Sequence, residues 1–157
     1  MKHHSSWLAV GLLLFVVLAC NVGKNRNTNN SNSNNSNVET ERPSADSTIK
    51  EIHMAKDDGQ GQPGDQTNTF DPGDHTLHCV ATLKEAQSGT DMRFSWWIVD
   101  ADNTQDKKIK DIDYTTKALE NIIHGHLTLP QDWPSGKYKV QVYVNGHLDR
   151  TVPFTVR

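Results

Sequence analysis

The sequence predicts an all-β domain in the C-terminal part of the chain, and three observations lead to that prediction. Apolar and polar residues alternate in short runs between Ile49 and Arg157, as they do in strands with one buried face. Turn signals such as Asn145-Gly146 separate these runs at the spacing of a β-sandwich. No segment of this range has a convincing helical period. We therefore expect an antiparallel β-sandwich of about seven strands.

Four strands are predicted in the first half of this domain. They cover residues 50–54, 76–83, 92–99 and 108–115. The turn Asp71-Pro-Gly-Asp74 precedes the second strand and Ser88-Gly89 follows it, because Pro and Gly favour tight turns. In the second strand Cys79 shares one face with Leu77, Ala81 and Leu83, so we expect it to be a small buried core residue.

Three further strands are predicted at residues 122–129, 137–144 and 147–156. The clearest is 137–144, where Tyr138, Val140 and the two following valines alternate with polar residues. Asn145-Gly146 is the strongest short hairpin signal and joins the last two strands. Pro153 has no backbone N–H, so the last strand is predicted to lie at a sheet edge or to carry a bulge.

The first twenty residues predict a secretion signal. Lys2 precedes an apolar run at residues 7–18, which is shorter than the ~20 residues that a membrane-spanning helix needs. The string Val17-Leu18-Ala19-Cys20 resembles the lipobox of bacterial lipoproteins. This resemblance implies that residues 1–19 are removed and that Cys20 carries acyl chains that anchor the protein to a membrane. A secretory peptide cut after Ala19 and a transmembrane anchor are the alternatives.

Residues 20–48 predict a lipidated cysteine followed by a disordered tether. Nine asparagines lie between Asn21 and Asn37, with no aromatic residue and no apolar period. A flexible chain of this length averages about 30 Å end to end. The lipoprotein resemblance places the protein in the cell envelope on the extracytoplasmic side. Because Asn21 rather than an aspartate follows the cysteine, it implies the outer membrane in a bacterium that has two membranes.

The β-rich part of the chain has a resemblance of its own. Gly136-Lys-Tyr-Lys-Val140 resembles a run of immunoglobulin-like sandwiches, in which the tyrosine lies at the corner leading into a strand. Trp133-Pro-Ser-Gly136, followed by a strand and Asn-Gly, is similar to the closing hairpin of bacterial immunoglobulin-like lipoprotein domains. The resemblance covers about 80 residues. It implies a single immunoglobulin-like domain over residues 49–157, with Cys79 in its core and no disulfide.

Charge and motif content narrow the functional classes. The net charge of −3 provides no basic surface for nucleic acid. The chain lacks the nucleophile elbow, the zinc-protease, the phosphate-loop and the paired C-x-x-C motifs, and His78 and Cys79 point to opposite faces of one strand. We therefore expect a non-catalytic binding or structural module for a protein or glycan ligand. A periplasmic enzyme and an inhibitor or accessory domain remain alternatives; the latter would need a protruding loop, for which residues 55–74 are the candidate.

Four histidines form a candidate metal site. His124 and His126 lie two apart on one predicted strand, so both project outward while the apolar residues of that strand face the core. In an immunoglobulin-like sandwich the neighbouring strands carry His78 and His53 on the same outward side. We expect His78, His124 and His126, with His53 as a candidate fourth ligand, to bind Zn or Cu. No other cofactor is expected, and the alternative is a histidine-rich solvated face.

Two tryptophans are candidates for a binding surface. Trp97 follows Trp96 on one predicted strand, so one of the two faces away from the core. Trp133 precedes a proline in a predicted loop. An exposed indole provides a contact surface for a sugar or a protein, so Trp97 and Trp133 are predicted surface residues. The alternative is that a neighbouring loop covers them.

Overall fold

The computed structural model describes residues 47–85 and 87–157 of the chain. Within them the chain forms nine strands joined by turns and short loops. They are β1 (Ile49–Asp57), β2 (Pro63–Gln66), β3 (Thr69–Phe70), β4 (Thr76–Leu83), β5 (Asp91–Ala101), β6 (Thr104–Thr115), β7 (Ile122–Thr128), β8 (Gly136–Val144) and β9 (His147–Val156). The predicted signal peptide, Cys20 and most of the tether lie outside the described residues. The described part holds no helix long and apolar enough to cross a membrane.

The strands form two sheets that enclose the core, which confirms the predicted all-β sandwich. One sheet has the order β2-β1-β4-β7, and the other has the order β3-β9-β8-β5-β6. All neighbouring strands are antiparallel except β3 and β9. The three strands that carry the candidate metal ligands, β1, β4 and β7, are neighbours in the first sheet.

All seven predicted strands occur, and β2 and β3 are additional. Both are short, and β2 reads Pro-Gly-Asp-Gln, without apolar alternation. β2 pairs with the end of β1, and β3 pairs with the end of β9. Residues 55–74, the candidate protruding loop, therefore begin with the end of β1 and include both added strands, which pair with the two sheets.

An aromatic cluster fills the core between the sheets. The rings of Tyr138 and Phe154 stack at 5.2 Å, and Trp133 meets Tyr138 edge-on at 5.4 Å. Trp96 lies 5.9 Å from Phe154, and all four side chains are at most 3% exposed. The Tyr138 hydroxyl donates to the carbonyl of Pro134 at 2.6 Å, which satisfies its buried polar group.

Asn145 and Gly146 form the turn of the last hairpin, and Pro153 lies on the outer edge of its second strand, β9. Asn145 and Gly146 have φ angles of 49° and 81°, as the predicted two-residue hairpin turn requires. β3 pairs with β9 at Thr155 and Val156, so within the described part of the chain the outer edge of β9 is unpaired beside Pro153. The predicted edge position of this proline is confirmed.

Candidate metal centre

Three of the four predicted histidines come together on the outer face of the four-stranded sheet. His78 on β4 pairs directly with His126 on β7, and Val80 pairs with His124. Because side chains alternate along a strand, His78, His124 and His126 all project from the same face. One ring nitrogen from each of the three lies within 4.8 Å of the other two.

Gly125 holds the two histidines of β7 on the outward side. It lies between His124 and His126 and faces inward, where a Cβ atom would lie 2.4 Å from Cγ of Phe94. Ile123 on the same inward side is also buried. A shift of β7 by one residue would force an imidazole into this contact, so core packing fixes which residues face outward.

His78 is the buried member of the cluster, and Asp57 orients its ring. The residue is 0% exposed, and its Nε2–H donates to Oδ2 of Asp57 at 2.8 Å. A carboxylate can only accept, so Nε2 carries the hydrogen and Nδ1 of neutral His78 keeps a free lone pair. That Nδ1 lies 3.2 Å from Nδ1 of His124. Without a metal, the Nδ1–H of His124 donates to it.

Asp57 itself is held by backbone groups of the following turn. Its other oxygen accepts hydrogen bonds from the N–H groups of Gly59 at 2.7 Å and Gly61 at 3.4 Å. The hydrogen bond from His78, together with these two backbone donors, holds the pKa of the Asp57 carboxyl below its usual value. Asp57 is therefore ionised at neutral pH and acts as a permanent acceptor for His78.

The surroundings of the half-buried His124 favour its neutral form. Burial disfavours its charged form, and positive charge on His78 or His126 would disfavour it further, so its pKa lies below the usual histidine value. A neutral imidazole is the form that binds a metal, because protonation removes the lone pair. The neutral ring of His124 can then bind a metal through Nδ1 once the hydrogen on that atom moves to Nε2.

The separation of the ring nitrogens fits a tetrahedral ion. With metal–nitrogen bonds of about 2.0–2.1 Å, neighbouring ligand atoms in such a site lie about 3.3–3.4 Å apart. The two Nδ1 atoms of His78 and His124 are 3.2 Å apart. His126 is exposed, so its side chain is free to close the remaining gap. Three imidazoles suit Zn or Cu rather than Mg or Ca, and the hydrogen bond from His78 to Asp57 is the support that metal-bound histidines commonly have.

His53, the candidate fourth ligand, is not part of this cluster. It faces outward on β1 as predicted, but it pairs with Val80, whose 6% exposed side chain stands between it and His124. Two strand spacings separate His53 from His124, or about 9–10 Å. The Nδ1 atom of His53 is buried and has no hydrogen-bond partner among residues 47–85 and 87–157. The residue instead lines a cleft of about 570 Å³ with Gln66 and Pro153.

The two predicted surface tryptophans have different positions. Trp133 is 1% exposed and belongs to the core cluster, so the prediction that it offers a binding surface is wrong. Its loop folds inward, and the indole N–H donates to the carbonyl of His75 at 3.3 Å. Sequence alone does not reveal this, because Trp96 and Phe154, two of its ring partners, lie on strands distant in sequence.

Trp97 faces outward and is partly covered. The ammonium groups of Lys108 and Lys139 lie 5.4 Å and 5.6 Å from its ring centre, and they come from the strands on either side. Its indole N–H donates to Oγ of Ser95 at 2.9 Å. The ring is therefore occupied by two cations rather than presented as an open platform.

Sequence reasoning missed Asp57. The first strand was predicted to end at Met54, which left Asp57 in a loop with no defined direction. In the structure β1 continues to Asp57, so His53, Ala55 and Asp57 share the outward face. Asp57 lies in the neighbouring strand to His78 and therefore reaches its ring. A first strand predicted to extend to Asp57 would have placed this side chain on the outward face beside His78.

The chain was also compared with known proteins. A scan against protein-family models finds no match, and a search of curated protein sequences finds none either.

Proposed function

We propose that this protein is a lipoprotein of the bacterial cell envelope whose β-sandwich domain binds a divalent transition-metal ion, Zn or Cu. The ligands are His78, His124 and His126. The observation that carries the proposal is the convergence of three imidazole nitrogens within 4.8 Å, with a carboxylate behind the buried one. The alternative is a solvated face that is merely rich in histidine. Such a face does not require a carboxylate that orients one histidine ring toward another.

The remaining parts of this proposal rest on the sequence resemblances. The lipobox at Val17-Leu18-Ala19-Cys20 supports a lipid anchor on Cys20 and an extracytoplasmic location. The hydrogen bond from Tyr138 to the carbonyl of Pro134 supports the immunoglobulin-like assignment, because the corner tyrosine of such domains bonds to the backbone a few residues upstream.

We propose that the domain binds without catalysing a reaction. A Cys–His pair needs both side chains on one side of the strand, but His78 faces the outer surface. Cys79 is fully buried on the other side, and burial raises the pKa of its thiol, so no thiolate forms at neutral pH.

Calorimetric titration of the protein with Zn or Cu at pH 7.5 tests the metal site. We expect one ion per chain with a dissociation constant below about 100 μM. The double variant His124→Ala, His126→Ala should abolish this binding. His147→Ala is the matched control, because His147 is an exposed histidine of β9 and not a member of the cluster.

Two results would contradict the proposal. One is a dissociation constant weaker than about 100 μM in the parent protein, which would indicate only the surface affinity of scattered histidines. The other is equal loss of affinity in the His147→Ala control and in the double variant.

A further inference from the structure

Three large apolar side chains stand out on the surface of the described domain. Leu119 is 90% exposed, Ile122 is 59% exposed and Leu148 is 48% exposed. A single exposed leucine is ordinary, because much of any protein surface is apolar. These three, however, lie at the same end of the sandwich, the end where the chain enters the domain.

Leu119 and Ile122 lie beside the point where the chain enters the fold. The N–H of Leu83 donates to the carbonyl of Asn121 at 2.8 Å, and the N–H of Lys84 donates to the carbonyl of Thr48 at 3.0 Å. These two consecutive contacts place the turn 116–121 and the start of β7 at the same end of the sandwich as Thr48.

Leu148 lies at this end as well. Asp149, the next residue, accepts a hydrogen bond from the hydroxyl of Ser47 at 2.6 Å and another from the N–H of Thr48 at 2.8 Å. The first described residues are thus attached to the start of β9. We call this end of the sandwich, with Ser47, the turn 116–121 and the start of β9, the tether-side end.

The turn that carries Leu119 is fixed in place. Leu119 has a φ of 64°, a left-handed conformation that bulky residues rarely adopt. The carboxylate of Glu120 accepts hydrogen bonds from the hydroxyl of Tyr114 at 2.6 Å and from the N–H of Lys117 at 2.9 Å. These bonds hold the turn so that Leu119 points into solvent, where its side chain contributes nothing to the core.

We infer that the tether-side end rests on the lipid surface, with Leu119, Ile122 and Leu148 inserted at the level of the headgroups. This inference rests on the lipid anchor at Cys20 proposed above. A membrane is the surface that this end contacts, because residues 21–46 connect it directly to the anchored cysteine. A chain of that length reaches at most about 90 Å when fully extended, so the membrane lies within its reach.

The contact is apolar rather than electrostatic. The chain carries a net charge of −3, so attraction to anionic headgroups does not drive it. Tethering raises the effective concentration of the membrane surface to about the millimolar range, so a weak contact is sufficient. In this orientation the metal ligands of β7 lie farther from the membrane than Ile122: His124 and His126 follow it by two and four residues, or about 7 and 13 Å.

The test uses the full lipidated chain in vesicles of phosphatidylethanolamine and phosphatidylglycerol. An environment-sensitive fluorophore is attached to Leu119→Cys, and to the matched control Gln131→Cys in an exposed loop at the opposite end. Cys79 is buried and does not compete for the label. We expect a blue shift and quenching by brominated lipid at position 119, and neither at position 131.

A second variant tests the contribution of the apolar side chains. Leu119→Asn keeps a residue that tolerates the left-handed turn, and Ile122→Thr keeps a β-branched strand residue. A probe at Leu148→Cys reports the effect. Its quenching by brominated lipid should be about tenfold weaker in this double variant than in the parent, because most of the inserted apolar surface is gone.

The outcomes separate this inference from the proposed anchor. If the chain floats with the vesicles but the probe at position 119 stays in water, the docking is contradicted and the anchor stands. A blue shift without quenching by lipid would mean that a second copy covers this end, which also contradicts docking on lipid. If the chain does not float, the anchor and the docking both fail.

Discussion

The Nε2–H group of His78 donates to the carboxylate of Asp57 at 2.8 Å, and this contact determines which nitrogen of His78 is free. Nδ1 is left with a lone pair and lies 3.2 Å from Nδ1 of His124. The buried ring is therefore oriented before any ion arrives, so binding needs little reorganisation at this ligand. The exposed ring of His126 is the adjustable part of the site.

Replacing Asp57 should weaken metal binding without removing a ligand. We expect Asp57→Ala to lower the affinity for Zn about 10–100-fold, because His78 loses the acceptor that fixes its tautomer. Calorimetric titration measures the change. Asp58→Ala is the control, since Asp58 bonds to the N–H groups of Gln60 and Gln62 and not to His78. Equal effects of the two substitutions would contradict this role of Asp57.

Without metal, the free energy of unfolding should fall as the pH drops below about 6.5, the usual histidine pKa. The pKa of folded His124 is lowered, mainly by burial and further by positive charge on His78 and His126. The unfolded chain therefore binds more protons in this range, so acid favours unfolding. Urea denaturation between pH 5 and about pH 8, with a chelator present, measures the slope. His124→Gln should flatten it, and an unchanged slope would contradict the assignment.

Gly125→Ala should destabilise the domain and impair the metal site together. The new Cβ would lie 2.4 Å from the Phe94 ring, so β7 or the ring must shift, and overpacking of this kind costs about 1–3 kcal/mol. Urea denaturation measures the stability and calorimetry the affinity. Gly73→Ala is the control, because a Cβ there meets no atom of the described domain within 4 Å. Retention of both properties in Gly125→Ala would mean that Gly125 does not set the position of the two histidines.

Cys20→Ser should release the protein from membranes. The substitution removes the sulfur that the lipobox resemblance assigns to lipid attachment, so the acyl chains that anchor the protein are lost. Fractionation of bacterial cells and gel mobility measure the effect. If the variant keeps both its membrane association and its mobility, the lipoprotein assignment is wrong.

The strands and the direction of their side chains could be predicted wherever apolar alternation was strong. In β4 and β7 that alternation placed His78, His124 and His126 on the outward face before any register was known. Their proximity could not be predicted, because it depends on the pairing of His78 with His126. Short polar strands such as β2 carry no apolar signal and form only because β1 offers them an edge.

Two errors in the predicted site have the same physical cause. Whether Trp133 is buried, and whether His53 reaches the cluster, depends on residues distant in sequence. Trp133 is covered by Trp96 and Phe154, while His53 is separated from His124 by Val80. The alternation of apolar and polar residues along a strand predicts the direction of a side chain. Its contacts depend on the packing of the whole domain.

The most direct test of the metal site is the nitrogen NMR spectrum of the histidine rings during titration with Zn. We expect one equivalent of Zn to shift the Nδ1 resonances of His78 and His124 and one ring nitrogen of His126. The Nε2–H of His78 should be retained, because Asp57 continues to accept it. The rings of His53 and His147 should not respond. Shifts spread evenly over all the histidines, or loss of the His78 Nε2–H on binding, would contradict this account of the site.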